Sequence, residues 1–236
     1  MVILAACTGF QPGRYSSPQE LLEVSEDLFR HGKCGDAALG FQRVTALMPV
    51  RDSAAVRARF LLAECHFDAG EFLEAARQFR RVANEAPTHP LAQTALLRAG
   101  DSQAELWTRP ELDPTYGQAA KVTYQEVAAR YPRTTVSARA SAKLAALAEK
   151  FAEKEFKNGN YYFRLGANTS ALLYYRSVVS EYGATSFAPL ALVKMVEAYN
   201  KLGYEDERDE TCSNLRRFYP NAPRLDDVCP VEGGTP

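Results

Sequence analysis

Five cysteines and three histidines hold most of the chemistry available to this 236-residue chain. His31 and Cys34 lie three residues apart, and Cys65 adjoins His66. Thiolate and imidazole are ligands that zinc favours, so a Cys/His metal site is one reading of these four residues. The other reading is a packed pair of thiols or one disulfide, with Cys34 at the start of one helix near Cys65 at the end of the next, and on this reading no metal is expected. There is no Gly-x-Ser-x-Gly elbow, Walker loop, His-Glu-x-x-His pair or dinucleotide fingerprint, so neither an enzyme nor a cofactor site is indicated. Two clusters suit binding instead. Arg57, Arg59, Arg77, Arg80 and Arg81 concentrate positive charge in one region. They form either a solvated helix face or the wall of a groove that meets carboxylates. Tyr161, Tyr162, Phe163, Tyr174, Tyr175 and Tyr182 crowd another. There Tyr175 and Tyr182 fall at core spacing and the others remain open as exposed anchors.

The elements that carry these residues show a repeat. Five segments share a turn residue, a small residue five later, an aromatic nine later, an aliphatic twelve later and a helix breaker seventeen later. They run Gly32, Ala37, Phe41, Val44, Pro49; Gly70, Ala75, Phe79, Val82, Pro87; Thr115, Ala120, Tyr124, Val127, Pro132; and Gly166, Ala171, Tyr175, Val178, Gly183. A weaker fifth runs Gly203, Arg208, Cys212, Leu215, Pro220. Glycine can take the left-handed conformation that closes one helix before the next begins. The small residue permits close helix approach, the aromatic and aliphatic fill the seam, and proline stops the second helix. The first helix of each pair is expected at about 18–31, 53–69, 89–107, 134–165 and 186–202. Pair three carries a Pro-rich polar loop at 107–114, and pair four a lengthened first helix with a candidate bend at Asn158-Gly159. The expected fold is therefore all-α, about ten helices in five tetratricopeptide-like pairs, forming a right-handed α-solenoid.

Composition agrees with a protein-binding scaffold. Apolar residues make up 46%, charged residues 24%, and the formal net charge is −1. That balance offers no basic excess for nucleic acid and no acidic tail. The first residues stand apart. Leu4-Ala5-Ala6-Cys7 matches the lipobox that ends a bacterial lipoprotein signal, although the positive n-region and full apolar length are missing ahead of it. The expected division is a truncated signal and lipobox at 1–7, a flexible tether at 8–17, the five-pair domain at 18–220 and a mobile tail at 221–236. Lipid on Cys7 would place the chain in an oxidising compartment, where disulfides persist. Four cysteines then allow three pairings. Helix antiparallelism favours Cys34 with Cys65, leaving Cys212 with Cys229 to tie the tail to the last helix.

Several motifs go beyond a generic repeat: Pro87-Thr-His-Pro90, Asp113-Pro-Thr-Tyr-Gly-Gln-Ala-Ala120, Tyr161-Tyr-Phe-Arg-Leu-Gly166 and Tyr174-Tyr-Arg-Ser-Val-Val179. Through them nearly the whole chain after Cys7 resembles the BamD family, periplasmic lipoproteins of the outer-membrane β-barrel assembly machinery. The resemblance implies a lipid anchor in the outer membrane on its periplasmic side, with no other membrane contact. It implies that the N-terminal pairs receive unfolded outer-membrane proteins. It also implies that the C-terminal pairs dock the last periplasmic domain of a BamA-like barrel subunit, alongside other lipoproteins of the complex. Where some members carry a partner-binding arginine this chain has Tyr174, with Arg176 nearby, so only the region is carried over. Another periplasmic repeat adaptor, such as a cell-envelope division coordinator or a pilus-assembly lipoprotein, would share the repeats without the five-pair layout after the lipobox. A sugar-binding solenoid would need paired carboxylates or an aromatic platform in a closed groove, and a cytosolic adaptor would keep its cysteines reduced.

Overall fold

The structure, a computed structural model, describes residues 9–230. Cys7 and the rest of the lipobox lie outside the described residues. Among the described residues the chain is helical without a strand. The helices are α1 (Pro18–Arg30), α2 (Cys34–Leu47), α3 (Ser53–Asp68), α4 (Phe72–Glu85), α5 (Leu91–Glu105), α6 (Thr115–Arg130), α7 (Thr135–Arg164), α8 (Asn168–Glu181), α9 (Phe187–Leu202), α10 (Glu205–Phe218) and the short α11 (Leu225–Val228). Among the described residues no helix is long and apolar enough to cross a membrane.

Local sequence explains these boundaries. Ser17 caps α1 by accepting from the Glu20 N–H, with Pro18 in the first turn, and Asp52 caps α3 through the Ala54 N–H. The turn glycines of pairs one, two, four and five all sit at left-handed φ of 72–76°, where any side chain would be strained. In α10 the first turn carries Glu205, Asp206 and Glu207 and the last carries Arg216 and Arg217, charges placed to favour the helix dipole.

Chain contacts divide the molecule into two compact units. Unit 1 holds residues up to Thr108 together with Asp113–Ala142, and unit 2 holds Arg109–Leu112 and everything from Lys143 onward. In unit 1, α1 through α6 pack sequentially, each against the next, with additional contacts between α1 and α3 and between α3 and α5. The repeat positions are its core: Ala37, Phe41, Val44, Ala75, Phe79, Val82, Ala120, Tyr124 and Val127 are all at most 1% exposed. In unit 2 the corresponding Ala171, Tyr175, Val178 and Leu215 are fully buried, and Ala152, Leu192, Val196 and Tyr199 complete that cluster.

Pairs three and four share a device that the repeat spacing alone does not reveal. A Cβ at Gly100 would lie 2.6 Å from the Tyr124 ring, and one at Gly159 would lie 2.5 Å from the Tyr175 ring. The residue after each glycine takes the phenol: Tyr124 donates to Asp101 Oδ1 and Tyr175 to Asn160 Oδ1, each at 2.8 Å. Glycine at 159 is therefore explained by close approach inside one continuous helix, α7, rather than by a break. Burial and the neighbouring Asp101 carboxylate push the Tyr124 phenol far up from its ordinary pKa, so it stays protonated and donates.

Three expectations about irregular segments change. Trp107, assigned to a polar loop, is 1% exposed and lies against Gly117 at the start of α6; the polar loop begins after it. Within unit 2, Lys154 donates to the carbonyls of Pro110 and Leu112, and Lys157 pairs with Glu111. The 8–17 tether is not loose where it is described: Phe10 and Tyr15 pack on the pair-one core, because apolar rings beside Leu21 and Phe41 gain by leaving water. The 221–236 tail is likewise docked as far as Pro230. Cys212 is bonded to Cys229, Val228 is buried, and Arg216 donates to the Cys229 and Pro230 carbonyls. This also accounts for the weak fifth repeat. The position that holds an aromatic elsewhere holds Cys212 here, and Leu225, Val228 and Cys229 fill the space against α9 and α10.

Candidate protein-binding surfaces

In unit 1 the charged cluster resolves into several separate contacts. Arg57 on α3 pairs with Glu26 on α1 at 2.6 Å, and Arg80 on α4 bonds Glu126 and Thr123 on α6. Each therefore bridges one helix pair to the next. Arg77 and Arg81 bond Glu74 and Glu85 on their own helix. Arg59, 3% exposed, shares Glu85 at 2.9 Å; burial pulls its guanidinium pKa down, while Glu85 opposes that. Arg98, which sequence reading passed over, is the most tightly held. It makes two bonds to Glu64, stands near Asp101 and lies over the Phe67 ring at 3.9 Å. Burial works against its charge, but Glu64 and Asp101 outweigh that and raise its pKa.

Two clefts open beside these arginines. One, of about 260 Å³, is lined by Gln42 and Thr45 of α2, Arg59, Leu62 and His66 of α3, and Glu74, Gln78 and Arg81 of α4. It is polar and charged, with Arg59 at its base. The other, of about 340 Å³, is mainly apolar and lies between α3 and the start of α5: Ser53, Arg57, Phe60, Leu61, His89 and Leu91. Arg57 is thus the one predicted arginine at the apolar cleft, and Arg81 lines the polar one. Phe60 and Leu61 carried no signal in sequence, because their exposure depends on how α5 packs against α3.

The apolar cleft contains a Ser53–His89 contact at 3.1 Å, which is worth testing as a nucleophile–base pair. The Leu91 backbone N–H donates to His89 Nδ1. The proton of a neutral ring is therefore on Nε2, and it is His89 that donates to Ser53 Oγ. A general base needs the opposite arrangement, so this pair is structural. The histidines of the possible metal site are also engaged elsewhere: His31 Nδ1 contacts the Asp27 carbonyl and His66 Nδ1 contacts Glu71. Among the described residues no three His, Cys, Asp or Glu side chains converge as a metal site would require. Cys34 and Cys65 meet at one core cluster as free thiols, so the structure leaves unbonded the disulfide expected between them. α2 and α3 pack closely enough through Phe41, Val44, Ala58 and Leu62 without it.

In unit 2 the tyrosines form a partly exposed ladder. Tyr162 stacks on Tyr174 with ring centroids 5.3 Å apart and planes 9° apart, and Tyr161 meets Tyr162 edge-on. Leu165 and Leu173 are 63% and 64% exposed beside them. Phe163 turns the other way, under Lys194 and Lys201. Arg176 is bound to the Tyr199 hydroxyl at 2.9 Å; its position is fixed by α9, while Tyr174 stays in the ladder. Partly exposed rings held rigid by stacking on one another lose little entropy on binding, which is what protein contacts favour.

Sequential helix pairs and open clefts with charged walls define a tetratricopeptide-like repeat protein. The model of the YfiO family, described as outer membrane lipoprotein, matches residues 15–215, and the chain belongs to that family. The outer membrane protein assembly factor BamD of Caulobacter vibrioides is 26% identical over 204 residues, covering 86% of this chain and 67% of that protein. BamD of Neisseria meningitidis serogroup A is 26% identical over 165 residues, covering 65% of this chain and 60% of that protein. Among solved structures, the TPR domain of P58(IPK) is similar at 16% identity and a TM-score of 0.49, covering 89% of this chain and 54% of that one.

Proposed function

We propose that this protein is a non-enzymatic scaffold for assembling outer-membrane β-barrel proteins, anchored at the periplasmic face of the outer membrane by lipid on Cys7. The observation that carries this reading is the family match over all five helix pairs, residues 15–215, together with two assembly factors of 26% identity. Unfolded barrel proteins are assigned to unit 1. An extended segment can lay apolar side chains on Phe60, Leu61 and Leu91 while Arg57 meets a carboxylate. The barrel subunit's periplasmic domain is assigned to unit 2, at Leu165, Leu173, Tyr174 and Arg176. Because Phe10 already packs on pair one, a lipid on Cys7 leaves three residues of reach, about 10 Å at full extension. Pair one would then lie against the membrane surface rather than on a long tether.

The test is capture from detergent-solubilised membranes with photo-crosslinking groups at Leu61 and Leu173. The expected products are unfolded barrel protein from Leu61 and the barrel subunit from Leu173. Recovery of the protein without any barrel protein overturns the assignment. Arg57→Ala with Phe60→Ala should abolish the Leu61 product and leave the Leu173 product intact.

A further inference from the structure

Cys34 and Cys65 have no role in the surfaces above, yet the fold brings them together. Cys34 is the first residue of α2 and is half-buried, packed at the edge of the pair-one core. Cys65 lies near the end of the antiparallel α3 and is 3% exposed within that core. Cys34 packs against the core cluster that contains Cys65, and its Sγ approaches Oδ2 of Asp68, three residues beyond Cys65, at 3.9 Å. Burial, with Cys34 and the Asp68 and Glu64 carboxylates beside it, disfavours the Cys65 thiolate. A buried thiol of this kind reacts poorly with an external reagent but well with a sulfur already beside it.

We infer that Cys34 and Cys65 form an ordered dithiol that closes to a disulfide by exchange with an external disulfide, Cys34 attacking first and Cys65 resolving. In the first step the Cys34 thiolate attacks one sulfur of the reagent RSSR, forming Cys34–S–SR and releasing RS⁻, which takes up a proton. In the second, Cys65 gives its proton to solvent and attacks the Cys34 sulfur, releasing the second RS⁻. Two cysteine thiols are oxidised and RSSR is reduced to two RSH. The bond joins α2 to α3, the helices that supply Gln42, Thr45, Arg59, Leu62 and His66 to the polar cleft. Oxidation therefore fixes the spacing of two of that cleft's three walls. The chemistry is independent of the proposed periplasmic location, and only the supply of oxidant in the cell rests on it.

The full chain is incubated with oxidised glutathione, quenched with N-ethylmaleimide and read by intact and peptide mass spectrometry. The expected result is loss of alkylation at Cys34 and Cys65, a mass lower by two hydrogens and a joined Cys34–Cys65 peptide. The melting midpoint should rise by about 5–10 °C. Cys65→Ser should retain glutathione on Cys34, and Cys34→Ser should leave Cys65 unmodified; Cys65→Ala replaces the first variant if its helical signal is lost. Persistent alkylation of both wild-type thiols, or glutathione found first on Cys65, overturns the proposal. Alkylating the protein in its native membranes separates the two readings. A bond found there supports both. A bond that forms with glutathione but is absent there removes the oxidising-compartment reading and leaves the ordered dithiol standing.

Discussion

In unit 1, one helix pair is joined to the next by charge: Arg57 to Glu26, Arg98 to Glu64 and Arg80 to Glu126 each cross between pairs. In unit 2 the same work falls to aromatic side chains. Phe156 packs on Phe187 and Tyr219 donates to the Gly183 carbonyl, while within the last pair Cys212–Cys229 holds residues 225–229 onto α9 and α10. Both units keep the same seam inside pairs one to four, a small residue, a ring and an aliphatic. The seam sets the distance between paired helices and leaves little room to vary. Contacts between pairs lie nearer the surface, where an ion pair or a ring meets the same need at similar net stability. The surfaces left over differ accordingly: clefts with carboxylate-bound arginines in unit 1, a partly exposed tyrosine stack and two exposed leucines in unit 2.

The strongest way to probe this comparison is at the shared seam. Tyr124→Ala and Tyr175→Ala should each cost about 3–5 kcal/mol in urea denaturation, because a fully buried ring leaves a cavity. The phenylalanine variants should separate the units. Tyr124→Phe takes one hydrogen bond from the Asp101 carboxylate, 6% exposed, and should cost about 1–3 kcal/mol, whereas Tyr175→Phe, which faces the half-buried Asn160 amide, should cost about 1 kcal/mol. Equal costs would mean that the two seams are the same device after all. Reducing Cys212–Cys229, which closes a separation of 17 residues, should destabilise the C-terminal pair by about 3 kcal/mol. Hydrogen exchange of α10 and α11 with and without reductant would show it, and protection in unit 1 should be unchanged.

Smaller effects test the charged contacts. Glu64→Gln should cost about 2 kcal/mol, since it leaves the largely buried Arg98 with Asp101 as its remaining carboxylate. Adding Arg98→Met should recover part of that, and a double-mutant cycle in urea measures the coupling. The least localised expectation concerns acid. Desolvation disfavours ionised Glu126 and Glu197, but bonds from Arg80 and Arg130 to the first, and from Lys194 and Arg224 to the second, hold both carboxyls below the ordinary 4.5. A depressed carboxyl contributes stability that is complete above its unfolded value and is lost as pH falls through its folded value. Thermal midpoints should therefore be flat above about pH 5.5 and fall progressively below pH 4.5, with Glu126→Gln and Glu197→Gln each flattening that fall.

The sequence by itself determined where the helices begin and end, which faces they bury and which family the chain belongs to. Those properties are local or periodic: glycines, prolines and capping residues act within one turn, and a nine-residue interval from turn to ring recurs whatever surrounds it. The Gly-Asp at 100–101 and Gly-Asn at 159–160, each ahead of a seam tyrosine, were legible too, had glycine inside a helix been taken as a mark of close approach. Tertiary structure alone decided the rest. Whether Arg57 and Arg80 wall a groove or bridge helix pairs depends on carboxylates 31 and 46 residues away. The burial of Trp107 depends on Gly117, and the docking of the chain end depends on Cys212 standing where a ring stands elsewhere. The exposure of Phe60 and Leu173 depends on what neighbouring helices leave uncovered. Each of these is a contact between distant positions, so its free energy exists only once the pairs have stacked.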